Sequence, residues 1–208
     1  GGRVMRKMPI YGSTAVWSYK LLRFYRWIFV LVVAANIISW GYIAREEPSN
    51  FHEYVLEHHI ELGLLLLLLF IGEGIVRFTS RIREYAIITV GSAIAGVVYF
   101  YASLDVEGME LVLMLPIFVS VIYLRYSMVI CSSLLMICIY SGILFWSPAH
   151  NDMVEFDEKI VGFTIIGFFL LAALNIIRRG MKMMSDVKSL MVNEKKYRIQ
   201  KSMLDESY

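Results

Sequence analysis

Four histidines set among carboxylates are the first residues of this chain whose types and spacing suit chemistry. Glu57, His58, His59 and Glu61 crowd together just before a leucine-rich stretch, with His52 and Glu53 one to two helical turns earlier. His150 and Asp152 come from a distant part of the chain. Imidazole with carboxylate suits a borderline divalent metal such as zinc. It equally suits proton sensing, since histidine changes charge nearest neutral pH. A third reading is that these groups only keep the loops wet. The spacing matches no known ligand motif, so the metal stays open, with His58, His59 and His150 as its candidates.

A second set lies inside apolar sequence. Glu73 and Arg77 are four residues apart and share a helix face. An ionisable residue at membrane depth is expensive and is a functional hypothesis by default. The competing reading is an ion pair at the boundary, with Arg77 reaching the headgroups. Asn36 and Asn175 can hydrogen-bond across helices. Pro116 can kink a helix and free a carbonyl, making one wall of a pocket.

A third set is a stripe rather than a site. Met183, Leu190, Tyr197 and Leu204 recur every seventh residue near the end of the chain. Taken as d positions, they put Val187, Glu194 and Lys201 at a, with Met184 and Met191 on the same face. A seam with good d and polar a residues is a weak parallel coiled coil, able to shift register at modest cost. The homodimer is thus expected to form through this helix. A solvated amphipathic helix is the plainer alternative.

No set of residues completes an active site. The chain has no phosphate-cradling glycine loop, no HExxH and no CxxC. Cys131 and Cys138 both lie in an apolar stretch and read as reduced packing residues. No cofactor and no nucleic-acid partner is implied. Gly1 and Gly2 read as a cloning remnant.

The elements that must position these groups are membrane spans. Of 208 residues, 58% are hydrophobic, well above the 45–50% or so of soluble domains. Mean hydropathy is +0.62. Crossing the hydrocarbon takes about 20 apolar residues. Six stretches qualify: 27–44, 62–75, 85–104, 109–124, 126–146 and 160–177. The fourth is short, and only Arg125 and its neighbours part it from the fifth, which predicts a tight helical hairpin. Ser13 to Arg26 places Trp17, Leu21, Leu22 and Tyr25 on one side, beside Lys20, Arg23 and Arg26. That pattern suits either an interfacial helix or the start of span one.

Six spans put both termini on one side. Every Lys and Arg except Arg45 and Lys159 falls on that side, including Arg3, Arg6 and Lys7. Basic residues mark the cytoplasmic face, so both termini are expected there. The outer loops are acidic, with Glu46, Glu47, Glu53, Glu57 and Glu61, then Asp105, Glu107 and Glu110, then Asp152, Glu155, Asp157 and Glu158. All four histidines face outward on this topology. The longest outer loop is expected over about 45–61, too short for a separate domain.

Two stretches resemble a known family. LMLPIFVSVIYLRYSMVICSSLL, Leu113 to Leu135, resembles the six-span sensor regions of Gram-positive bacterial signalling proteins. There a Leu-Pro-x-x-x-Ser-x-x-Tyr run crosses the membrane and a short basic turn follows. RRGMKMMSDVKSLMVNEKKYRIQKSMLDESY is similar to the linker before a GGDEF diguanylate cyclase domain. The resemblance implies a dimerising linker and, in the parent protein, two cyclase domains joining two GTP molecules into cyclic di-GMP. A similar linker precedes the phospho-acceptor helix of sensor histidine kinases. The chain carries no GGDEF motif, phospho-acceptor histidine or kinase nucleotide box, so no catalytic residue is carried over.

The expected fold is therefore all-α, a six-helix transmembrane bundle followed by a long cytoplasmic coiled-coil helix. Residues 1–26 form a cytoplasmic segment, 27–177 the sensory domain and 178–208 the signalling helix, with Gly180 at the exit as a candidate hinge. The expected role is a sensor in a bacterial plasma membrane, feeding an output domain absent from this sequence. Its partners are the bilayer, a second copy, and a small-molecule, lipid or cation ligand. A small transporter and a membrane scaffold are the competing classes. Against the first, only Glu73 and Arg77 bring charge near the midplane.

Overall fold

The computed structural model describes residues 11–104, 106–153 and 155–205, and only the backbone of 11–14, 153, 204 and 205. Arg3, Arg6, Lys7 and Asp105 lie outside the described residues, as does the side chain of Leu204. The described residues form helices and no strand. Five helices are long and apolar enough to cross a membrane: α1 (Tyr11–Glu46), α2 (Phe51–Phe78), α3 (Arg83–Ala102), α5 (Tyr126–Trp146) and α7 (Phe156–Asp205). A shorter apolar segment, Met109–Val121, lies between α3 and α5. It begins as a 3₁₀ turn, Met109–Met114, and continues as α4, Leu115–Val121. A six-residue helix, α6 (Pro148–Met153), precedes α7.

Lipid-facing character is visible in what stays uncovered. Ile38, Phe70 and Leu171 are each about two-thirds or more exposed, on three different helices. An apolar belt of that extent is a liability in water and a requirement in a bilayer.

Two clusters form the interior. One joins Leu21, Leu22 and Tyr25 of α1 with Leu65, Leu69 and Val76 of α2 and Ile87, Ile88 and Val90 of α3. The other joins Tyr99 of α3, Leu113, Ile117, Met136 and Tyr140 with Ile166, Ala173 and Ile177 of α7. α3 belongs to both and carries a buried side chain on every turn. Tyr140 closes the second cluster. Its ring meets Tyr99 and Phe163 edge-on, and its hydroxyl donates to the carbonyl of Lys159 at 3.3 Å, in the first turn of α7. The ring lies where a Cβ at Gly162 would be, so only glycine fits there.

Several sequence expectations are corrected. The loop expected over 45–61 shrinks to residues 47–50, because α2 already begins at Phe51; His52, His58 and His59 sit on its first turns. Pro116 does not kink a running helix. It stands in the first turn of α4, where the chain changes from 3₁₀ to α and a missing N–H costs least. Residues 11–26 continue into the first span as one helix, with Leu21, Leu22 and Tyr25 buried in the bundle and Trp17 exposed. The helix α7 passes through Gly180 without a break.

The turn between α4 and α5 is tight, as the spacing predicts. It is closed by Leu124 in the left-handed region at φ 50°, which costs a non-glycine residue about 1–2 kcal/mol. The Leu124 side chain rests on α7 at Gly180, where an added Cβ would come to 3.2 Å from its Cδ2.

Candidate ligand crevice and output helix

One end of the bundle gathers the polar residues expected on the outer face, and they separate into three environments. The first is a half-open crevice of about 360 Å³ between α1, α2, α3 and the 3₁₀ segment. Asn36 of α1 and Glu61 of α2 meet there through a side-chain hydrogen bond, and both are buried. His58 lies one turn before Glu61, also buried, with its Nδ1 donating to the Tyr54 carbonyl at 2.8 Å and its ring against Tyr54. Leu31, Val32, Val98 and Met109 supply apolar walls, and Tyr101 a phenol. An apolar crevice with a few convergent polar groups is the usual make-up of a small-molecule site.

The second environment is a buried latch. His150 of α6 shares hydrogen bonds with Ser103 and Ser147, each at 2.9 Å, through its two ring nitrogens, and stacks on Phe100. Burial holds its pKa below the ordinary 6.5, with a smaller upward pull from a backbone hydrogen bond at Phe100. The third is the exposed surface of that end. His59 stacks on Trp40 at 5.1 Å with the ring planes nearly parallel, while His52, Glu57 and Asp152 are exposed. Adjacent residues on a helix point about 100° apart, so His58 and His59 diverge. Among the described residues no group of three or more His, Cys, Asp or Glu is placed to hold a metal. His58, His59 and His150 are not brought together.

The opposite end is basic. Glu73 is paired with Arg26 of α1 at 2.9 Å as well as with Arg77. Arg125 of the α4–α5 turn is paired with Glu84 of α3 at 2.7 Å. Ser18 and Tyr123 share a buried hydrogen bond at 3.0 Å. The pairing of Glu73 with Arg77 follows from their spacing; Arg26, far away in sequence, could not be read. Asn175, expected to bond across helices, instead sits on an exposed face of α7.

The last helix leaves the bundle. α7 packs on α5, α4 and the 3₁₀ segment, and every described side chain from 181 to 203 is exposed. Met183, Leu190 and Tyr197 are each about two-thirds exposed, and Val187 less so. Fifty residues of helix span about 75 Å, more than twice the hydrocarbon thickness.

The residues missed from sequence are Tyr54, Tyr101, Arg26, Ser103 and Ser147. One signal was present: Tyr54, His58 and Glu61 step along α2 at i, i+4 and i+7, a polar stripe facing Asn36 and Ser39. Comparison with protein-family models, curated proteins and solved structures finds no match to this chain.

Proposed function

We propose that this chain is the membrane sensory module of a bacterial receptor. A stimulus at the outer crevice or within the bundle is passed through α7 to a cytoplasmic output domain, a diguanylate cyclase of the GGDEF type. The observation that carries this reading is the unbroken course of α7. One rigid helix has its first half packed in the bundle and its second half projecting with an apolar stripe. A change in bundle packing therefore moves the projecting half directly, with no flexible joint to absorb it.

Six spans are part of the proposal. A 3₁₀ segment rises about 2.0 Å per residue against 1.5 Å in an α-helix. With this stretch, the short fourth segment reaches about 22 Å rather than about 20 Å. That length is short of the hydrocarbon thickness of about 30 Å, and it is the contacts at its two ends that favour a crossing. Met109 borders the crevice of Glu61, and Tyr123, just past α4, meets Ser18 at the basic end. The basic end faces the cytoplasm, by the bias of Lys and Arg. Two copies pair through Met183, Val187, Leu190, Tyr197 and Leu204.

Cysteine cross-linking in membranes tests the dimer, with Cys131 and Cys138 replaced by serine. Leu190→Cys and Tyr197→Cys give disulfide-linked dimers and Ser189→Cys does not. Monomer at all three positions overturns the parallel seam. In the intact receptor, inserting four residues after Val192 changes cyclic di-GMP production at least several-fold, whereas inserting seven restores it. Autophosphorylation in place of cyclic di-GMP would make the output a histidine kinase instead.

A further inference from the structure

Two hollows lie on one flank of the bundle, both against α1 and α3. The one at the basic end, of about 430 Å³, is bordered by Ala15, Ser18, Arg81, Arg83, Glu84 and Arg125. Nearer mid-bundle, α1, α3 and the 3₁₀–α4 segment enclose a second, almost wholly apolar hollow of about 160 Å³. Phe24 and Ile28, Ile94 and Val98, and Val112 and Val119 face it from α1, α3 and the 3₁₀–α4 segment. The two hollows are in register. Ser18 to Tyr25 on α1, and Glu84 to Gly91 on α3, are both seven-residue steps, about 10 Å along a helix.

Charge distinguishes the two hollows. Glu84 neutralises Arg125, which leaves Arg81 and Arg83 without an ion pair among the described residues. Arg83 is held in place by its Nε, which donates to the Val76 carbonyl at 3.0 Å. The basic hollow therefore carries a net excess of two guanidinium charges, beside an apolar slot about 10 Å deeper. The other basic recess differs. Lys20, Arg23, Arg26 and Arg77 surround Glu73 between α1 and α2, and the apolar gap about one turn beyond it, lined by Tyr25, Phe29, Leu65 and Leu69, is too narrow to admit even a water.

We propose that these two hollows together bind one anionic phospholipid of the adjacent leaflet. Its phosphate lies among Arg81, Arg83 and Arg125, and one acyl chain occupies the slot between α1 and α4. Guanidinium groups suit phosphate oxygens through paired N–H donors, and basic pockets between spans are where such headgroups dock. The inference rests on the bundle being embedded in a bilayer and does not depend on the output helix.

The test uses the full chain in nanodiscs of phosphatidylcholine containing one-tenth phosphatidylglycerol, with retained lipid counted by native mass spectrometry after detergent extraction. One phosphatidylglycerol per chain stays bound to the wild type. Arg81→Gln lowers its retention several-fold, and Arg81→Gln with Arg125→Gln lowers it at least tenfold. Val119→Trp, which fills the apolar slot, also releases the lipid and leaves the arginines intact. Lys20→Gln with Arg23→Gln, in the other recess, changes nothing. Unchanged thermal unfolding of Arg81→Gln separates lost binding from lost fold. Equal retention by wild type and the arginine variants, equal loss in the Lys20/Arg23 variant, or displacement by inorganic phosphate overturns the proposal. Failure to enter nanodiscs at all counts against the membrane placement instead.

Discussion

The cavities described above all border α1, and none touches α5 or α7. The half built on α1 and α2 is hollow and polar at both ends. The half built on α5 and α7 is filled by Tyr99, Tyr140, Met136 and Ile166. The shared helix α3 touches both. Cavities reduce packing contacts and let side chains move, whereas a filled interior transmits displacement. Under the proposed function, reception and transmission have different physical requirements, and each half of the bundle would meet one of them.

Two glycines give the largest and sharpest test of that division. An added Cβ at Gly162 collides with the Tyr140 ring, and one at Gly91 collides with the Tyr25 hydroxyl. Tyr140 borders none of the hollows described above, whereas Tyr25, whose hydroxyl donates to the Ile87 carbonyl at 3.1 Å, borders the apolar slot. Gly162→Ala is expected to cost about 2–3 kcal/mol, in the range of overpacked cores, and Gly91→Ala about 1 kcal/mol or less. Thermal unfolding in nanodiscs reads both. Equal losses would mean that the two halves are equally rigid.

Next comes acid sensitivity, expected at the His150 latch. The folded state holds His150 neutral, below its ordinary 6.5. The unfolded chain binds a proton near 6.5 while the folded chain does not, so stability is complete above that pH. It declines as pH falls below it, until the buried ring is itself protonated. His150→Gln should flatten the slope of stability below about pH 6.5, measured as unfolding temperature against pH. An unchanged slope would assign the acid response to other groups.

The smallest effect is expected where space is already free. Ala35 borders the outer crevice, and Ala35→Leu should shift stability by less than about 1 kcal/mol in either direction. It should nonetheless weaken any ligand that enters beside Asn36 and Glu61. A large loss of stability would show the crevice to be filled in the free protein.

The helices were legible because apolar length is a local property. The stretch 126–146 matches α5 to the residue, and the Glu73–Arg77 pair follows from helical spacing alone. What could not be read depends on contacts distant in sequence. Asn36 finds Glu61, Arg26 finds Glu73, and His150 finds Ser103 only after the spans are packed. The histidines were read as one cluster since all fall at one end. Helix geometry then gives each a separate setting, a pocket wall, a stacked surface ring and a buried latch. Pro116 and Asn175 misled for the same reason: their chemistry suits an interior, but their positions are the start of a helix and an exposed face.

The contact of Leu124 with Gly180 makes the α4–α5 turn the last fixed point on α7 before it leaves the bundle. Residues 180–205 beyond it form an arm of about 37 Å. With that contact as fulcrum, a tilt of about 5° carries the far end through about 3 Å. Leverage of this kind would turn a shift of about 1 Å at Ala173, some 10 Å before the fulcrum, into a displacement about three times larger at the far end.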